Sequence, residues 1–151
     1  MPDARLAWIP ATELATMIRR KKVSPVEVVD AVLARIETLN PRLNAFVTVT
    51  DAAARREAKA AERALGKRGA RLGPLHGVPF SVKDLVNTKG VRTTFGTPFY
   101  RDNVPAEDAP MVERMKVAGG IMLGKTHTPT FGWIGATHNL VFGVTRNPWN
   151  L

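Results

Sequence analysis

Apolar residues along this chain follow a helical rhythm first and a strand rhythm later. Leu14, Met17 and Ile18 fall at helical spacing, so Ala11 to about Arg20 reads as a helix. Arg19-Arg20-Lys21-Lys22 suits its C-terminal end, where the helix dipole favours cations. Ser24-Pro25-Val26-Glu27 opens a second helix. Ser24 is the expected N-cap, Pro25 fits the first helical position, and Glu27 can complete a capping box. Val29, Val32, Leu33, Ile36 and Leu39 form the apolar stripe, and Asn40-Pro41 is expected to end the helix. Asn44 to Val49 reads as a strand. Asp51 is expected to cap a third, alanine-rich helix that stops at Leu65-Gly66, with Lys67 to Arg71 as a loop.

The period then changes. Gly73-Pro74 and Gly77 punctuate the chain, and Val78, Phe80 and Val82 alternate with Pro79 and Ser81, the pattern of a half-buried strand. Lys83 closes it. Asn87-Thr88-Lys89-Gly90 reads as a turn, Val91 to Gly96 as extended, and Thr97 to Pro105 as a loop with proline and aromatics. Asp108 is expected to cap a fourth helix, with Met111, Val112 and Met115 inward and Gly119-Gly120 stopping it. Ile121-Met122-Leu123 is a short apolar strand. Beyond it, glycine, threonine and aromatics dominate, through Thr128 to Trp133, Asn139 to Gly143 and Arg146 to Leu151. Strands alternating with helices indicate an α/β sheet. Only three or four strands are expected, and the chain closes on a loop bearing Trp149. Residues 1–151 are therefore expected to be the N-terminal part of something larger.

Composition narrows the classes. The chain has 151 residues, 44% of them hydrophobic, which suits one globular domain or a piece of one. It has no cysteine, so disulfide and thiolate chemistry are excluded. Met1-Pro2-Asp3-Ala4-Arg5 lacks the basic and apolar regions of a signal peptide. No apolar run approaches the ~18 residues of a membrane helix, and a cytoplasmic location is expected. The net charge is +9, densest from Arg55 to Arg71. That patch could meet nucleic acid, and a basic nucleic-acid-binding module is one function class to test. No recognition motif or interleaved aromatic accompanies it, which suits a solvated helix face instead.

Candidate chemistry is sparse. Gly119 to Thr126 satisfies G-x-x-x-x-G-K-[ST] letter for letter. A phosphate loop needs a strand before its first glycine and a helix after its lysine. Here a helix precedes Gly119, and Ile121-Met122-Leu123 suits a buried strand, so Lys125 is not expected to bind nucleotide. His76, His127 and His138 lack short metal-ligand spacing, and no metal or cofactor site is expected. There is no G-x-S-x-G elbow. Lys83 has two readings. A lysine held in apolar surroundings favours its neutral form and can act as a base; a lysine at a strand end can simply reach water.

Leu75-His76-Gly77-Val78-Pro79-Phe80-Ser81-Val82-Lys83-Asp84 resembles the lysine motif of the amidase signature family. Thr88 to Thr94, Ala118 to Thr126 and Phe142 to Asn150 continue the resemblance in order, and the Ser24-Pro25-x-Glu27 helix is similar to that family's start. The resemblance covers nearly all of the chain. It implies the N-terminal portion of an α/β/α sandwich with a mixed central sheet. Residues 1–72 would form a helical region with one strand, and residues 73–151 would begin the catalytic core. It also implies amide hydrolysis by a Ser–cis-Ser–Lys triad, with Lys83 as the base, a small-molecule amide as substrate, and no metal or organic cofactor. Both serines would lie beyond Leu151, so the chain by itself is expected to be inactive. Ser24 and Ser81 do not replace them, because one is a helix cap and the other stands on the lysine's own strand.

Phe131, Gly132 and Trp133 fall where relatives line the acyl pocket, although plain packing fits them equally. His127, Thr130 and His138 stand where relatives usually carry Asn, an acidic residue and another polar residue. These departures suit the broad-substrate amidases better than the A subunits of tRNA-dependent amidotransferases, which stay open as an alternative. A homo-oligomer stays open as well.

Overall fold

The computed structural model describes residues 3–151. Met1 and Pro2, which begin the segment read as lacking a signal peptide, lie outside the described residues. Among the described residues four α-helices and five strands follow in the order α1 (Ala11–Arg19), α2 (Pro25–Leu43), β1 (Phe46–Val49), α3 (Asp51–Leu65), β2 (Pro79–Lys83), α4 (Pro110–Val117), β3 (Ile121–Thr126), β4 (His138–Asn139) and β5 (Gly143–Val144). The chain divides into two compact units. One comprises Met1–Glu37, Thr50–Phe80 and Arg114–Leu123, and the other Thr38–Val49, Ser81–Glu113 and Gly124–Leu151.

The first unit is built on helices. Leu6, Leu14, Ile18, Val23, Val28, Ala31 and Val78 form its buried cluster, with Leu65 and Leu75 packed against it. The capping box closes as the residue types require. The Ser24 amide donates to Glu27 Oε2 at 2.8 Å, and the Glu27 amide donates to Ser24 Oγ at 3.1 Å. Asp51 is the first residue of α3 rather than its cap. Thr50 precedes it, and its hydroxyl donates to the Met122 carbonyl instead of capping the helix. Gly119 stops the helical run with φ +89°, and a Cβ there would lie 2.8 Å from His76 Cα. Only glycine joins that conformation to that approach. The Ile121 amide then donates to Val78 O at 2.9 Å.

The second unit carries the other sheet contacts. β1 runs antiparallel to β3, with Thr48 opposite Lys125 and Val49 opposite Gly124. The Asp84 amide donates to Thr126 O at 2.8 Å. Together with the Val78–Ile121 bond this sets β2 parallel to β3, so the sheet is mixed, in the order β1-β3-β2. β4 and β5 form a separate two-stranded hairpin.

Four further expectations need correction. Pro41 lies inside α2, which continues to Leu43. The break comes at Asn44, whose φ of +53° is left-handed. Asn40 makes the turn possible by accepting the Ala45 and Phe46 amides on its own Oδ1. Val91 to Gly96 is not extended. It folds as successive turns, with Val91 N–H donating to Thr88 O and Thr97 N–H to Thr94 O. Met111 is exposed, while Val112 is buried and Met115 half-buried, because α4 is only two turns long and buries a narrow face. β3 is also longer than its apolar run, taking in Gly124, Lys125 and Thr126.

Candidate active site

Lys83 is the last residue of β2, and its side chain is exposed. Apolar surroundings do not form around it among the described residues. Its backbone, by contrast, is tightly held. The next residue donates its amide to Thr126 O on β3, the Val86 amide donates to Lys83 O at 3.0 Å, and the Phe95 amide donates to Asp84 O at 3.0 Å. The strand end therefore presents an exposed lysine side chain from a well-anchored backbone.

Asp84 turns the other way and is 1% exposed. The alternation of exposed Ser81, buried Val82 and exposed Lys83 along β2 carries on into Asp84, just past the strand end. Its carboxylate accepts the Thr94 amide at 3.1 Å and the Thr94 hydroxyl. Burial pushes its pKa above the ordinary carboxylate value, against the lowering effects of the Thr94 bonds and of the Lys125 and Arg92 charges.

Lys125 is 0% exposed. Its ammonium donates to Val86 O, to Thr88 Oγ1 at 2.9 Å and to Thr93 Oγ1 at 3.0 Å. Three N–H bonds thus meet three acceptors, all from the segment that follows Lys83. The G-x-x-x-x-G-K-T spelling is a strand with α4 before it, and the lysine points into the protein. Its geometry is the opposite of a phosphate loop.

Phe131, Gly132 and Trp133 form a tight turn. Phe131 is half-exposed, with φ +50°, and its amide donates to Phe95 O at 2.7 Å. Its ring stacks on Phe95 at 6.2 Å and meets the edge of Tyr100 at 6.3 Å. Gly132 has φ +71°, and a Cβ there would come within 2.7 Å of Leu85 Cδ2. That side chain lies two residues after Lys83, so the turn and the lysine's segment touch. Trp133 is 78% exposed and borders a hollow of ≈ 320 Å³ with Thr130, Ile134, Leu140 and the β4–β5 hairpin.

His127 sits beneath that hairpin. Its Nδ1 lies 2.6 Å from Thr145 Oγ1 and 3.3 Å from Asn44 O. Its Nε2 lies 2.8 Å from Asn139 Nδ2, which also donates to Thr128 O at 2.8 Å. Burial lowers the pKa of the imidazole, although its hydrogen bonds to Asn44 and Asn139 and the Asp84 charge act in the opposite sense. Of the other two histidines, His76 Nε2 bonds Ala61 O at 2.9 Å, and His138 is exposed on β4 beside Asn139. Among the described residues no group of three His, Asp or Glu side chains is placed to hold a metal ion. No helix among them is long and apolar enough to cross a membrane.

Periodicity points to Lys83 but not to Asp84, Lys125 or His127. Asp84 carries one signal, its place directly after the strand-end lysine. Lys125 is hidden in a misleading motif, and the partners of His127 come from both sides in sequence at distances no pattern encodes.

Solved structures with this arrangement include amide hydrolases. Fatty acid amide hydrolase superposes with a TM-score of 0.93 at 26% identity, over 100% of this chain and 27% of that one. A bacterial aryl acylamidase of the amidase signature enzymes gives 0.88 at 35% identity, over 95% and 30%. The profile of the family described as Amidase matches residues 27–151, and the chain belongs to that family. Among curated proteins it is 41% identical over 151 residues to the acylamidase of Rhodococcus erythropolis, covering 31% of that protein. It is 42% identical over 146 residues to the A subunit of the glutamyl-tRNA(Gln) amidotransferase of Moorella thermoacetica, covering 30% of it. The chain thus spans a little under a third of the curated relatives it matches.

Proposed function

We propose that this chain supplies the base of an amide hydrolase that works by a Ser–cis-Ser–Lys mechanism. The observation that carries the reading is the setting of Lys83: a reachable ammonium at the end of a β-strand whose backbone is anchored on both sides, in a chain of the amidase family. In its neutral form Lys83 takes a proton, through a cis-configured serine, from a nucleophilic serine. The nucleophile attacks the amide carbonyl, the amine leaves, and water releases the acid from the acyl-enzyme. Backbone N–H groups hold the oxyanion. Both serines lie in chain that follows Trp149-Asn150, in this reading. Phe131, Gly132 and Trp133 border the acyl site, and the substrate is a small amide with an apolar acyl group. The alternative, that it is the A subunit of an amidotransferase, draws on the Moorella relative. It predicts glutamine-dependent ammonia release in place of activity on simple amides.

The test uses the full-length enzyme and a panel of simple amides. Lys83→Ala is expected to lower kcat by roughly 10³-fold or more, the range of a lost general base. Lys83→Arg is expected to fail as well, because a guanidinium stays protonated. Near-full turnover in either variant rules out the assignment.

A further inference from the structure

We infer that His127, as the neutral Nδ1–H tautomer, is the pin that holds the β4–β5 hairpin, and that a proton on its Nε2 releases the hairpin. The hydrogen bonds assign the tautomer. Thr145 Oγ1 donates its single proton to Asn44 O at 2.8 Å, so it faces His127 Nδ1 as an acceptor. Asn139 Nδ2 faces Nε2 as a donor. Asn139 cannot turn its amide around, because its Oδ1 accepts the Val141 amide at 2.9 Å and the Phe142 amide at 2.8 Å. A proton on Nε2 would therefore meet an N–H that has nowhere to go.

The hairpin depends on this contact. Its strands are two residues each, too short to stand alone. It is anchored by the Asn139 side chain, by Thr145, and by Asn44 Nδ2, which donates to Phe142 O at 2.7 Å. His127 touches Asn139, Thr145 and the Asn44 carbonyl at once, on both sides of the hairpin. The charged and titratable groups around it are few. The Asp84 charge favours the imidazolium and the His138 charge disfavours it. Arg92 lies over the Phe142 ring at 5.1 Å, and that ring meets His127 edge-on at 5.8 Å. Burial outweighs Asp84, so the neutral form is favoured. Opening the hairpin lets His127 return toward its ordinary value of 6.5. Between that value and its own lowered one, the open state binds one more proton than the closed state. The opening equilibrium then rises as pH falls through that window, by at most about tenfold per pH unit.

His127 is thus a positioning residue for one wall of the hollow beside Trp133. The extension from wall to substrate rests on the reading of that hollow as the acyl site. Nuclear magnetic resonance on the 151-residue chain tests the pin directly. Ring nitrogen shifts give the tautomer, and exchange of the Val141 and Phe142 amides, corrected for intrinsic rate, gives hairpin opening between about pH 7.5 and about pH 4.5. The expected result is an Nδ1–H ring at neutral pH and amide protection that falls as pH drops below roughly 6.5, by at most about tenfold per pH unit. His127→Asn abolishes that acid step, and His138→Gln leaves it in place. An Nε2–H tautomer at neutral pH, flat protection while His127 titrates, or a step that follows His138 overturns the inference. The wild-type and His138→Gln titrations decide it even if His127→Asn does not fold. KM for an amide with an apolar acyl group, measured against pH in the full-length enzyme, separates the two readings. A hairpin that opens while KM stays constant keeps the pin and removes the hollow from the acyl site.

Discussion

Lys83 and Asp84 are neighbours in sequence with opposite fates, one in solvent and one buried. The alternation of a strand is enough to send them apart, and each asks for a different experiment. Asp84 has a raised pKa, so the native state favours its protonated form. Its contribution to stability is then full below the unfolded value of 3.8 and is lost as pH rises through the higher folded value. Asp84→Asn removes this dependence. The variant's unfolding free energy relative to wild type should therefore climb as pH rises from about 4 toward neutrality, in parallel urea titrations. A difference that stays constant with pH would contradict the assignment. Lys125 presents the converse case, a buried ammonium whose three donors are spoken for. Lys125→Met leaves Val86 O without its donor and removes a positive charge that acts on Asp84, and should cost about 3 kcal/mol or more in chemical denaturation. ATP with Mg²⁺ should produce no heat of binding with the wild-type chain.

Elements are legible to the extent that their signals are local. The capping box at Ser24 and Glu27 forms as written, because it needs only four consecutive residues and one turn of helix. Ser24→Ala should lower stability by about 1 kcal/mol, read from the denaturation midpoint. The ends of elements are harder to read. Asn40-Pro41 is a reasonable stop signal, yet Pro41 is accommodated in the last turn of α2, and the Asn40 side chain gathers the strand that follows. The extent of β3 is set by its partner. Gly124 has φ +150°, and a Cβ there would lie 2.1 Å from Thr48 O on β1. Gly124→Ala should cost at least ~2 kcal/mol, visible as loss of protection in the Thr48 to Val49 pairing. Nothing in the sequence near Gly124 announces that demand, because the clashing atom lies 76 residues earlier in the chain.

At the scale of the whole molecule, activity depends on how much of the machinery these residues hold. The chain spans 31% of the acylamidase it resembles over its full length. It carries the proposed base, and the proposed nucleophile, relay and oxyanion hole lie beyond it. Purified residues 1–151 should therefore hydrolyse no amide, while a full-length form that includes both proposed serines should. Turnover by the short chain that survives repurification and disappears in Lys83→Ala would show that the catalytic serines have been misplaced. Several large apolar side chains stand exposed, Phe99 at 93% and Trp149 at 94% among them, so association of the isolated chain is worth measuring by light scattering alongside the assay.

The sequence by itself determined the α/β alternation, the four helices, the strand that ends on Lys83, the exclusion of a phosphate loop and the likeness to amidases. These rest on periodicity, caps and ordered short motifs, which are properties of neighbouring residues. Tertiary structure alone decided which partners the buried Asp84 and Lys125 meet. It also decided that Val91 to Gly96 folds as turns around Asp84 and that His127 reaches Asn44, Asn139 and Thr145. The physical reason is common to all of these. A buried polar group must find its partners wherever the fold brings them, and those partners lie from 10 to 83 residues away, where no local pattern can specify a distance or an angle.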